Sequence, residues 1–114
     1  MGPSPSVALV EAFNAAINAR DLTALTALMT EDHRFVDAEG QAVEGRTACA
    51  EAWRGFFLAF PDYRNVFSEV SDAGDGVVEV AGRSVCSESA LAGPARWRAV
   101  VRDGRIAEWQ VMAA

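Results

Sequence analysis

The dipeptide Asp103-Gly104 constrains this chain more than any other feature. A two-residue hairpin turn needs positive φ at both central positions, and Asp-Gly meets that need with little strain. Arg96 to Arg102 and Arg105 to Met112 are therefore expected to pair as antiparallel strands. Side chains alternate across a strand, so Trp97, Ala99 and Val101 point one way and Arg96, Arg98, Val100 and Arg102 the other. On the partner strand Ala107, Trp109 and Val111 share a face, while Glu108 and Gln110 oppose them. One side of the sheet is thus aromatic and apolar, the other charged. An apolar face of this kind has to be covered by another layer. Arg–Glu pairs on the charged side would add only about 0.2–1 kcal/mol each.

The first half of the chain supplies that cover. Ser4-Pro5 places a capping hydroxyl before a proline at the first helical position, and Leu9, Val10, Phe13 and Ile17 follow at helical spacing. Asp21 is expected to cap a second, shorter helix that buries Leu22, Leu25, Leu28 and Met29. The period then becomes two over His33 to Asp37, so that His33, Phe35 and Asp37 share a face. Glu39-Gly40 turns the chain into a short strand from Gln41 to Glu44. Thr47 is expected to cap a third helix whose inner face holds Cys49, Ala52, Trp53, Phe56, Phe57 and Phe60, ended by Pro61. Tyr63 to Ser71 and Val77 to Ser87 read as further antiparallel strands around an Asp75-Gly76 turn, and Ala92-Gly93-Pro94 separates them from the closing hairpin. The result is an α+β chain with three helices against a long antiparallel sheet, and a single domain over residues 1–114.

Charge excludes several partners. The net charge is −6 and the isoelectric point near 4.6, with no cluster of Lys or Arg to offset it, so nucleic acid and acidic membrane surfaces are disfavoured. Apolar runs fall short of the roughly 20 residues a membrane span needs. Met1-Gly2-Pro3-Ser4-Pro5-Ser6 lacks the positive segment and apolar run of a secretory signal. Cys49 and Cys86 lack metal-like spacing and are expected to be reduced and buried, with the cytoplasm as the expected address. One histidine and two distant cysteines do not make a zinc site. With no glycine-rich phosphate loop, neither a metal nor a nucleotide cofactor is expected.

Four sets of residues are candidates for chemistry. Asp37, aimed into an apolar pocket, would have its pKa raised and be poised to move a proton; the competing role is a turn aspartate that bonds its own backbone before Gly40. His33, the only histidine, has an ordinary pKa near neutrality. It shares Asp37's face, but four residues of strand put the two about 13 Å apart. It is expected at the mouth of the strand, as a weaker catalytic candidate. Phe13, Ile17, Phe35, Trp53, Phe56, Phe60, Trp97 and Trp109 are expected to line a pocket for a flat apolar molecule or to fill the core. Tyr63, after Pro61-Asp62, is expected to lend a hydroxyl at the rim.

The runs Phe13-Asn14, Arg20-Asp21-Leu22, Leu28-Met29 and Glu31-Asp32-His33-Arg34-Phe35-Val36-Asp37, with Gly45-Arg46, Trp53 and the closing Asp103-Gly104-Arg105-Ile106, resemble the nuclear transport factor 2-like superfamily, in particular its SnoaL-like and ketosteroid isomerase-like members. The resemblance spans nearly the whole chain. It implies a cone-shaped sheet wrapped around three helices (the cystatin-like roll), a homodimer through the outer sheet face, and a pocket for a small molecule. It also implies that Asp37 stands at the general-base position of a cofactor-free isomerase, cyclase or lyase. Ketosteroid isomerases pair such a base with an oxyanion hole made of a Tyr and a protonated Asp. Here Phe13 and Trp97 stand at those two positions. Each missing donor is typically worth roughly 2.7–4 kcal/mol of transition-state stabilisation, so steroid isomerisation by that route is not expected. The alternative is a non-catalytic module for ligand binding or dimerisation.

Overall fold

In the computed structural model, which describes residues 4–113, three helices lie against one six-stranded sheet. The order along the chain is α1 (Pro5–Ala19), α2 (Leu22–Ala27), β1 (Met29–Val36), β2 (Ala42–Glu44), α3 (Arg46–Ala59), β3 (Arg64–Gly74), β4 (Val77–Val85), a 3-10 turn (Ser89–Leu91), β5 (Gly93–Arg102) and β6 (Arg105–Met112). Met1 to Pro3, part of the segment compared with a secretory signal, lie outside the described residues. Among the described residues no helix is long and apolar enough to cross a membrane.

The closing hairpin forms as its turn dictates: Asp103 and Gly104 have φ of 54° and 72°, and Trp97 pairs with Val111, Ala99 with Trp109. Strand order across the sheet is β2-β1-β6-β5-β4-β3. It does not close into a barrel. The roll is the expected one with a single difference, since β1 runs parallel to β6 while all other neighbours are antiparallel. That pairing joins the first strand to the last, and its register slips between Met29 and Arg34.

Helix starts and stops follow local chemistry. The Ser4 hydroxyl accepts from Val7 N–H and the Asp21 carboxylate from Ala24 N–H, each satisfying a donor left free in a first turn. Arg20 ends α1 in the left-handed conformation at φ 59°, and its guanidinium donates to the carbonyls of Ile17, Phe60 and Pro61, clamping the end of α1 to the end of α3. Several boundaries differ from the sequence reading: β5 starts at Gly93, within the segment expected to break the chain before Arg96, and β3 runs on to Gly74, past Ser71. α3 starts from Gly45, not Thr47, and no side chain caps it, because Gly45 at φ 97° makes the entry turn itself. Met29 opens β1 where the second helix was expected to continue, since Ile106 N–H reaches the carbonyl of Leu28 and pulls the chain into the sheet.

Val10, Phe13, Ala16 and Ile17 of α1 pack with Leu25, Met29, Cys49, Trp53, Val78, Val80, Trp97, Ala99, Ile106 and Trp109 into one apolar core. Each fully buried large side chain contributes about 1.5–3 kcal/mol. Asn14 and Asn18, one turn apart on α1, hold the start of β3: both amides donate to the Asn65 carbonyl, and the Asn18 oxygen accepts from Asn65 N–H. The outer sheet face carries a ladder of ion pairs, Glu44 to Arg34 (3.8 Å), Arg34 to Glu108 (3.4 Å) and Glu108 to Arg98 (3.8 Å). Such exposed pairs are worth at most about 1 kcal/mol each.

Candidate functional site

Helix α1 covers β3 and β6, and α3 lies over β1, leaving part of the aromatic face unfilled. The gap is a cavity of about 660 Å³. Phe35, Trp53, Phe56, Trp97, Trp109 and Val111 supply its apolar wall; Asp37, Ala38 and Glu39 border it from the turn after β1; Ala90 to Ala95 border it from the 3-10 turn and the start of β5. The volume lies within the roughly 300–1,000 Å³ typical of small-molecule sites. The tryptophans therefore line the space without plugging it.

Aromatic side chains hold this wall in place. Trp53 makes edge contacts with Phe35 (centroids 5.8 Å) and Phe56 (5.7 Å), and Phe56 meets Tyr63 edge-on at 4.8 Å. Across the cavity Trp97 and Trp109 stack at 6.4 Å, with Phe67 against both. Offset and edge arrangements of this kind fix ring orientation as well as burying area. The indole N–H of Trp53 has no hydrogen-bond partner among the described residues.

Asp37 lines the cavity just beyond β1, and one of its oxygens is engaged locally. Oδ1 accepts from the N–H groups of Glu39 and Gln41 at 2.9 Å each, closing the turn before Gly40. Oδ2 has no partner among the described residues. The turn role expected of this residue is therefore present, and the residue also borders the cavity.

Several predicted site residues lie elsewhere. His33 is fully buried outside the cavity wall, against Phe13, with Nδ1 2.6 Å from the Ile106 carbonyl. It is not at the mouth of the strand. A carbonyl only accepts, so Nδ1 carries the proton; Nε2 is buried without a partner among the described residues. Burial holds its pKa below the ordinary value, against the smaller opposing pull of the Ile106 carbonyl, Asp32 and Glu108. Phe13 and Ile17 are completely buried in the core beneath α1, and Phe60 packs on Phe56 at 5.0 Å; none of these three borders the cavity. The cause is geometric, because α1 sits directly on β3 and seals that end. Cys86 is only half-buried, its thiol donating to Asp62 Oδ1 at 3.4 Å, whereas Cys49 is fully buried.

Tyr63 is deeper than a rim residue, 9% exposed, and burial pushes its phenol pKa up. Its hydroxyl lies 3.1 Å from Ser84 Oγ, and Ser84 donates to Asn65 Oδ1 at 3.0 Å. Tyr63 and Ser84 both line the cavity. Ser84 and Asn65 were not singled out in the sequence. A signal existed, since Val78, Val80, Gly82 and Ser84 alternate onto the inner face of β4, and a serine among valines marks a polar point in an apolar wall.

A family model described as a SnoaL-like domain matches residues 10–109. The chain belongs to the SnoaL-like family. Solved structures of other proteins share this fold at low identity. A proposed polyketide cyclase from Sinorhizobium meliloti is 22% identical, with 92% of this chain and 94% of that one covered at a TM-score of 0.83. An epoxide hydrolase from M. tuberculosis, described as LEH-like, is 18% identical over 96% and 79%, TM-score 0.83. A computationally designed 17-OHP binder is 13% identical over 99% and 93%, TM-score 0.84. No curated protein sequence matches the chain significantly. The same fold is seen in a protein from Novosphingobium aromaticivorans described as a cystatin fold protein, 17% identical over 97% and 99%, TM-score 0.83. At such identities the likeness speaks for the architecture, and function has to be argued from the cavity.

Proposed function

We propose that this SnoaL-like protein binds a small, flat, apolar molecule in the cavity between α3 and the sheet, and that Asp37 moves a proton on it. The observation that carries this reading is the unpartnered Oδ2 of Asp37 at the edge of an open space walled by Trp53, Trp97 and Trp109. A carboxylate so placed takes a proton from carbon beside a carbonyl and returns it at another atom of the same molecule, which is cofactor-free isomerase, cyclase or lyase chemistry. Polyketide-like aromatics are the ligand class we favour, given the flat stacked walls and the kind of enzyme the Sinorhizobium meliloti neighbour is named for. The steroid isomerase reaction is not favoured, because Phe13 and Trp97 offer no oxyanion donor.

The second reading is a binding module without catalysis. It draws on the two backbone N–H groups that already occupy Asp37 Oδ1, and on the designed binder that uses the same fold. A thermal-shift screen against polyketide aromatics, steroids and fatty acids, followed by a search for product, separates the two. A ligand at a hundredfold excess over its Kd stabilises by about 2.7 kcal/mol. Asp37→Asn should abolish turnover of any converted hit while the protein stays folded; unchanged turnover removes Asp37 from the mechanism, and stabilisation without conversion leaves the binding reading. We further propose a homodimer through the outer sheet face, where Val66 and Val85 are exposed between charged residues, and a cytoplasmic location consistent with two free thiols.

A further inference from the structure

With the Asn65 amide oxygen facing Ser84, which leaves its Nδ2 buried without a partner among the described residues, the hydrogen bonds behind Tyr63 run in one direction. Asn65 Oδ1 is an amide oxygen and only accepts, so the bond from Ser84 Oγ at 3.0 Å uses the single proton of the serine hydroxyl. Ser84 then has only lone pairs left for Tyr63, 3.1 Å away, and the phenol proton must lie in that bond. The Tyr63 oxygen keeps its own lone pairs, and both residues border the cavity. The relay is anchored at its far end, because the backbone of Asn65 is clamped by Asn14 and Asn18 of α1. All three relay residues are at least nine-tenths buried, so water does not compete freely for these bonds.

We propose that the Asn65–Ser84–Tyr63 relay fixes the Tyr63 phenol as a hydrogen-bond acceptor toward the cavity, making Tyr63 a specificity residue for ligands that present a donor, such as a phenolic hydroxyl. This inference rests on the cavity being a ligand site and adds the polarity of one wall. A ligand with only an acceptor at that position leaves the Tyr63 oxygen unpaired and faces lone pairs, the kind of mismatch on which polar pockets discriminate.

Three probes of nearly one shape test it: naphthalene, 2-naphthol and quinoline at neutral pH, titrated against tryptophan fluorescence, since Trp53, Trp97 and Trp109 border the site. The wild type should bind 2-naphthol about fivefold more tightly than naphthalene, one net hydrogen bond, and quinoline no more tightly than naphthalene. Tyr63→Phe should erase the 2-naphthol advantage. Ser84→Ala releases the phenol proton, so quinoline should gain on naphthalene. Tighter binding of quinoline than of naphthalene by the wild type, the mark of a phenol that donates, overturns the proposal without any variant having to fold. Equal binding of all three also overturns it while leaving the cavity a ligand site. Failure of all three to bind removes the cavity reading and this inference with it.

Discussion

Mild acid, above the range where carboxylates titrate, should destabilise this protein through one side chain, and the size of the effect follows from where that side chain sits. His33 is the only histidine, has no exposed surface, donates from Nδ1 to the Ile106 carbonyl and leaves Nε2 without a partner among the described residues. Protonating Nε2 in place would put an unsolvated, unpaired charge against Phe13, so the folded-state pKa is depressed from the ordinary 6.5 by desolvation. The unfolded chain takes up that proton near pH 6.5 and the folded chain does not, so stability is full above 6.5 and falls as the pH drops through 6.5 toward the folded value. The slope reaches at most about 1.4 kcal/mol per pH unit, which gives a loss of at most about 1.3 kcal/mol between about pH 7 and about pH 5.5. With an unfolding entropy of about 0.24 kcal/mol per kelvin for a chain of this length, that is up to about 5 °C in Tm. Asp32, held low by the Thr30 hydroxyl and then by Arg102, and Asp72, held low by the Ser4 hydroxyl, lose their contributions only below the ordinary carboxylate value of 3.8, outside this window. Urea unfolding across the window should show the decline in the wild type and a flat profile in His33→Gln, which keeps a donor for Ile106 without titrating. An equal slope in both proteins, or none in the wild type, would refute the placement of His33 as a buried neutral residue.

Gly82→Ala tests the wall of the cavity from behind. A Cβ at Gly82 would stand 2.1 Å from the Val66 carbonyl oxygen and 3.0 Å from Phe67 Cα, so β3 must shift, at a cost of roughly 1–3 kcal/mol. Phe67 stacks on Trp97 and Trp109, so the same change should alter tryptophan fluorescence; an unchanged urea midpoint and spectrum would count against the close approach of the two strands. The proposed dimer is checked by sedimentation at micromolar concentration, where a species of twice 12.2 kDa is expected and a purely monomeric protein sinks the idea. Adding salt should leave that dimer largely intact if exposed Val66 and Val85 drive it, because the Arg34, Glu108 and Arg98 ladder is satisfied within one chain.

Much of the architecture was legible because its determinants are local. Asp103-Gly104 fixes the closing hairpin by turn geometry alone, and the alternation on either side of it puts Trp97 and Trp109 on one face without reference to any other part of the chain. Ser4 and Asp21 cap their helices by bonds that span three residues. What local pattern does not carry is the meeting of distant segments. The parallel pairing of β1 with β6 depends on Ile106 finding Leu28, and that contact takes Met29 out of the second helix.

The site shows the same division more sharply. Alternation and helical spacing identify which residues turn inward, and Phe13, Ile17, Phe60 and His33 do all turn to the interior side. Whether an inward residue becomes core or cavity wall is decided by where the helices above it end. Helix α1 seats on β3 through the Asn14, Asn18 and Asn65 bonds, which commits Phe13 and Ile17 to the core, and the space left beside α3 falls to Trp53, Trp97 and Trp109. The polar relay lies along that border. Asn65 faces α1 with its backbone and Ser84 with its side chain, so the contact that closes the core at one end also orients the Tyr63 phenol in the cavity at the other. The residues that position the helix and those that set the chemistry of the pocket wall are therefore partly the same. Replacing Asn65 should disturb fold stability and ligand preference together, whereas Ser84→Ala should act mainly on preference.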